Sequence, residues 1–305
     1  MRIAAFYENI WDACRMAGEG LEEMLVELKG HGLEMIYISG TALAEKEEEL
    51  TALFERLRLP VEGMHQHFDL GHHPEDRSWK GYMDLAKRVG AGNFLCVPGM
   101  IPKADEGRRE EMMGHMTAAV RDMVEYGKKI GLTVCMEDYD SMESPFNGID
   151  GLARFMEEAP GLMCAFDTGN FVCHGEDPME AFERFKDKIV TVHVKDRQDV
   201  PWTEGDGGCL CGDGSVAYVA PVGYGRMPIE KVIGRLKEQG YMGNLIAELF
   251  SCGDLKANLI RSLEWLRECR RERDGLLRCH GGKRSDETIR SPVWHDEKRD
   301  VFVLG

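Results

Sequence analysis

The sequence predicts an α/β protein: a single-domain (β/α)8 TIM barrel followed by a C-terminal tail. Three observations carry that prediction. Short apolar runs alternate with amphipathic helical stretches from start to finish, the pattern of a parallel sheet with helical crossovers. Eight strand–helix units can be counted, the number that closes a barrel. The first strand is followed by Tyr7-Glu8-Asn9 and not by the glycine-rich turn of a doubly wound open sheet, the competing architecture.

The elements follow in order. The strands are the apolar runs Arg2–Phe6, Met35–Ser39, Val61–His67, Asn93–Val97, Thr133–Glu137, Met163–Asp167, Val190–Val194 and Asn244–Glu248, each short enough for a buried barrel stave. Helical periodicity fills the intervals at Leu21–Lys29, Glu45–Arg58, Ser78–Val89, Arg109–Ile130, Gly151–Glu158, Pro178–Phe185 and Pro228–Gln239, and Leu255–Arg271 closes the set. The barrel is assigned to residues 1–272. A near-neutral tail, 273–305, contains Gly281, Gly282 and Pro292 and ends in Val301-Phe302-Val303-Leu304, so it is expected to pack on the barrel or on a neighbouring subunit. A long glycine-rich loop is expected at Arg197–Met227, and loops of that length are usually functional or disordered.

Composition narrows the function. The 305 residues are 43% hydrophobic and 30% charged, as in an ordinary globular enzyme, and enough to bury a full core. A net charge of −16 argues against nucleic acid as a partner, because phosphate neutralisation needs clustered Lys and Arg. The start MRIAAFYENI lacks the parts of a signal peptide, and no run approaches the roughly 20 apolar residues that span a bilayer. A cytoplasmic protein with reduced, scattered cysteines is therefore expected, several of them (Cys96, Cys135, Cys164) inside strands. Cys209-Leu210-Cys211 looks like half of a thiolate metal site whose other half is missing at useful spacing.

The chemistry concentrates at four consecutive strand ends, Cys135-Met136-Glu137, Ala165-Phe166-Asp167, Thr191-Val192-His193 and Ile246-Ala247-Glu248. Strand C-termini of a barrel converge on one face, so three carboxylates and an imidazole should meet there. Such groups are costly to bury unpaired, and one divalent cation removes the cost. An oxygen-rich set with one imidazole suits manganese, magnesium, cobalt or zinc, with manganese the first expectation. Around this centre, His65 and His67 share one face of the third strand and are candidates for substrate contact, as are Lys195 and Arg197 after the ligand histidine. Arg226 is a further anion candidate. No helix opens on a phosphate-cradling turn.

The segments MEDYD (136–140), FDTGNF (166–171), VHVKD (192–196), PVGYG (221–225) and GYMGNLIAELF (240–250) resemble the xylose-isomerase-like barrel family of sugar and sugar-phosphate isomerases and epimerases. The resemblance spans most of the chain and is most specific from Thr133 to Phe250. It implies Glu137, Asp167, His193 and Glu248 as metal ligands, with Glu137 and Glu248 also the catalytic acid–base pair. Some members carry a histidine where this chain has Asn170. Others, similar to pentulose-5-phosphate 3-epimerases, carry asparagine, which makes Asn170 a substrate-binding candidate. The reaction implied is proton abstraction beside a carbonyl through an enediolate, on a small sugar or sugar phosphate, in a homo-oligomer. A lyase on the same scaffold is the alternative: a keto-inositol dehydratase, or a C-glycoside-cleaving subunit that would need a partner chain. Apurinic-site endonucleases share the barrel but need several more strand histidines, for which His65, His67 and His115 are the available residues, and a cationic surface. A non-catalytic sugar sensor would not need both glutamates.

Overall fold

A computed structural model describes residues 1–271 and shows a closed barrel of eight parallel strands. The staves are β1 (Ile3–Phe6), β2 (Met35–Ser39), β3 (Val61–His67), β4 (Asn93–Val97), β5 (Thr133–Met136), β6 (Met163–Asp167) and β7 (Ile189–Gln198). A hairpin of β8 (Gly208–Leu210) and β9 (Val216–Ala220) follows, and β10 (Leu245–Glu248) closes the ring between β7 and β1. The tail expected at 273–305 lies outside the described residues.

Each stave is apolar and buried because crossover helices cover its outer face. The amphipathic helices turn one stripe inward; Arg109–Ile130, for example, buries Met112, Met113, Met116, Val120, Met123 and Val124. Local chemistry sets several boundaries. Asp177 accepts a hydrogen bond from the Met179 N–H at 2.8 Å and starts Pro178–Phe185, with proline in the first turn. At the floor of the barrel, buried Glu62 accepts hydrogen bonds from Asn93, Thr191 and Asn244, which ties β3, β4 and β7 to the entry of β10.

Three parts of the chain differ from the sequence reading. A helix, Tyr7–Ala17, follows β1 at once, and a six-residue helix, Gly40–Glu45, follows β2 with Ser39 accepting from the Ala42 N–H. The region 197–227 is not an open loop. Strand β7 runs on through Lys195-Asp196-Arg197-Gln198, pairs antiparallel with β9, and β9 pairs with β8. The return to the barrel is held by Asp196, whose carboxylate accepts from the N–H groups of Gly223, Gly225 and Met227 at 2.9, 2.9 and 3.1 Å. Gly225 is required there, because a side chain would meet Asp196 and the Arg197 carbonyl.

Candidate metal centre at the barrel mouth

Register delivers the four strand-end residues to one point. Asp167 of β6 stands opposite His193 of β7, β10 sets Ile246 opposite His193 and Glu248 opposite Lys195, and Glu137 follows the last residue of β5. All four are buried, and one ligand atom from each lies within 4.8 Å of the others. His193 Nδ1 faces the carboxylates, 2.7 Å from Glu137 Oε2 and 3.4 Å from Glu248 Oε2. Phe6 and Tyr37 pack edge-on against its ring and fix its orientation.

Lys195 completes the cluster. Its Nζ is 2.6 Å from Glu248 Oε1, 3.3 Å from Asp167 Oδ2 and donates to Asn170 Oδ1 at 2.7 Å, while Asn170 Nδ2 donates to the Asp138 carbonyl at 2.9 Å. Gly169 allows this packing, since a Cβ there would lie 2.8 Å from the Lys195 carbonyl oxygen.

The electrostatics are those of a site built around positive charge. Burial would lower the His193 pKa, but Glu137, Glu248 and Asp167 outweigh it and raise it to about 9. Burial pushes Asp167 up to about 6 against the pull of Lys195. Lys195 stays charged far above neutrality: burial works against its charge, and Asp167 and Glu248 more than offset that. Even so, Asp167 Oδ2 and Glu248 Oε2 are buried and accept no hydrogen bond among the described residues, although each has a cationic nitrogen within 3.4 Å. Such orphaned carboxylate oxygens are expensive unless an ion takes them up. Three carboxylates, a divalent ion, a neutral imidazole and the Lys195 ammonium sum to zero charge. The donor set therefore fits a divalent metal.

The remaining candidates are placed as follows. His65 sits at the mouth with Nε2 3.4 Å from Glu8 Oε2, stacked on Tyr37. His67 is exposed at the rim, its ring 5.9 Å from that of Tyr139. Arg197 is buried beyond Lys195, donating to Asp140 Oδ2 at 2.6 Å and to the carbonyls of Ala217 and Gly169. Arg226 pairs with Asp199 in an exposed bridge. His115 Nδ1 lies against the Gly71 carbonyl at 3.0 Å.

Two residues escaped the sequence reading. Glu8 accepts from the Ser39 N–H and pairs with His65, bringing a further carboxylate to the mouth; its place directly after β1 was the available signal. Asp138 is fully buried and neither carboxylate oxygen has a hydrogen-bond partner among the described residues; burial, then Asp167 and Glu137, push its pKa well above the ordinary range. Phe6 and Phe250 give the mouth an apolar wall. A separate cavity, lined by Glu62, Asn93 and Asn244 among others, lies at the opposite end of the strands, away from this chemistry.

The family model described as xylose isomerase-like TIM barrel matches residues 23–269. The chain belongs to that family. Among curated relatives, the L-ribulose-5-phosphate 3-epimerase UlaE of Shigella boydii serotype 18 is 25% identical over 161 residues, 52% of this chain and 51% of that protein. Inosose dehydratase of Lacticaseibacillus casei is 34% identical over 96 residues, 30% of this chain and 32% of that protein. The matches thus span about half and about a third of those relatives. In fold, the chain is similar to the IOLI protein solved with a bound zinc atom, at TM-score 0.67 and 17% identity over 88% of this chain and 98% of that one. Among the described residues no helix is long and apolar enough to cross a membrane.

Proposed function

We propose that the protein is a divalent-metal-dependent epimerase or isomerase of a small sugar or sugar phosphate, acting by proton abstraction beside a carbonyl. One observation carries the reading: two buried glutamates from different strands, Glu137 and Glu248, flank a single imidazole at 2.7 and 3.4 Å in a cluster whose charge calls for a divalent ion. The epimerase among the curated relatives supports it. When bound, the ion supplies Lewis-acid polarisation of the substrate carbonyl and lowers the pKa of the neighbouring C–H.

The chain's own residues do the rest. Asp167 and His193 would hold the ion. Glu137 and Glu248 would also hold it and, because they reach the substrate from different staves, one takes the proton and the other returns one. Return to the opposite face of the same carbon epimerises; return to the adjacent carbon interconverts aldose and ketose. Lys195 holds Glu248 through Oε1 and so sets the direction in which its other oxygen points. Phe6 and Phe250 form an apolar wall on one side of the site. We expect manganese as the ion, since the donors are mainly oxygen, although the IOLI structure holds zinc. The reading needs no nucleic acid and takes the protein as a cytoplasmic homo-oligomer.

The match to inosose dehydratase favours one second reading, a lyase that begins with the same proton abstraction and then expels the β-hydroxyl as water. Incubating the metal-loaded protein with keto-sugars, their phosphates and keto-inositols in deuterated water separates the two. Exchange with an epimeric or isomeric product supports the first, and a dehydrated product the second. Absence of both across the panel refutes the common first step.

A further inference from the structure

The thiols of the hairpin find partners that their spacing in sequence conceals. Cys209 lies on β8, Cys173 in the short turn Phe171–His174 after β6, and Asp140 in the loop after β5. We propose that Asp140, Cys173 and Cys209 form a second metal site, for a thiophilic divalent cation of zinc's class, distinct from the centre at the strand ends. One ligand atom from each lies within 4.8 Å of the others. A tetrahedral zinc, with bonds of about 2.3 Å to sulfur and about 2.0–2.2 Å to oxygen, wants donors roughly 3.5 Å apart, so no pair has to close by more than about 1.3 Å.

Three further features fit an ion. Cys211 is buried beside Cys173 in a small cluster with Ala217, which walls the site on that side and leaves the fourth position to water. Arg197 donates to Asp140 Oδ2 at 2.6 Å, an outer hydrogen bond of the kind that orients ligating carboxylates. Charge also closes: two thiolates and one carboxylate carry −3, and a divalent ion with the Arg197 guanidinium carries +3. Three converging donors, one of them a carboxylate, suit an ion better than a disulfide. The three residues come from three separate excursions of the barrel rim, already linked by the Cys209 thiol donating to the Asp140 carbonyl and by the Gly212 N–H donating to the Cys173 carbonyl. An ion here would staple the hairpin to the mouth. Thiolate ligands select zinc over manganese or magnesium, so the two sites would hold different metals.

The test uses the full chain, reduced, stripped with a chelator and titrated with cobalt(II). Thiolate-bound cobalt absorbs intensely in the near ultraviolet, whereas cobalt held by carboxylates and an imidazole does not. The expected result is a charge-transfer band in the wild type and in Glu248→Gln that is lost in Cys209→Ser and in Cys173→Ser. Added zinc should abolish it, and zinc content should fall by about one ion per chain in Cys209→Ser. No band in the wild type, with equal zinc content in the wild type and both cysteine variants, overturns the proposal; so does a Cys173–Cys209 disulfide that persists under these reducing conditions. Cys209 sits partly exposed on the hairpin, and an unchanged circular dichroism spectrum shows that its variant is folded. The band does not depend on the Glu248 site, so either site can fail without the other.

Discussion

Metal binding at the strand-end site should release a proton, and its pH dependence follows from the geometry. In the metal-free protein His193 has a pKa of about 9 because it stands among Glu137, Glu248 and Asp167. It is therefore protonated at pH 7, yet only a neutral imidazole can ligate. The sign is fixed: the proton competes with the metal, so affinity rises with pH up to about 9 and levels off above it. Two pH units below that value the competition costs about 100-fold in affinity, or about 2.7 kcal/mol. Below about pH 6 the slope should steepen from one proton towards two, as Asp167 also becomes protonated. Titration calorimetry with manganese, repeated at pH 7 in buffers of different ionisation enthalpy, counts the protons directly; about one is expected. An affinity that is flat from pH 6 to 9, with no proton released, would refute the assignment of His193 as a ligand.

Other consequences can be checked alongside. Lys195→Met removes the ammonium between Asp167 and Glu248, so the metal-free variant should lose about 3–5 kcal/mol, and added metal should raise its melting temperature more than it raises the wild type's; equal shifts would contradict the charge balance. Asp196→Ala leaves several backbone N–H groups without their acceptor and should cost about 2–4 kcal/mol in urea unfolding; a change under about 0.5 kcal/mol would show that the return to the barrel does not depend on it. Glu248→Gln should lower both metal content and proton exchange, the latter by about 10²–10⁴-fold, with the circular dichroism spectrum unchanged.

Most of the barrel was legible because its staves are buried on both faces, so runs such as Met35–Ser39 and Asn93–Val97 stand out as short, continuous apolar segments. The strand-end quartet was legible for the same reason, each member being a polar group that closes an apolar run. What stayed hidden depended on contacts distant in sequence. Tyr7–Ala17 starts without a side-chain cap directly after β1, so no punctuation marks it. The extension of β7 beyond Val194 stayed hidden because Lys195, Asp196 and Arg197 are buried only through partners elsewhere: Glu248, the 223–227 backbone and Asp140. The same holds for Glu8 with His65, and for Cys209 with Cys173 and Asp140, which topology joins and spacing does not.

The central claim is that Glu137 and Glu248 move a proton to and from carbon beside a carbonyl at a metal site. Its most direct test is deuterium incorporation from solvent into a panel of free and phosphorylated keto-sugars, followed by NMR with the manganese-loaded wild type and with Glu137→Gln and Glu248→Gln. The account predicts deuterium at the carbon next to the carbonyl with the wild type, dependent on metal and strongly reduced in both variants. Exchange that persists undiminished in both variants, or product formed by the wild type with no deuterium at that carbon, would contradict it.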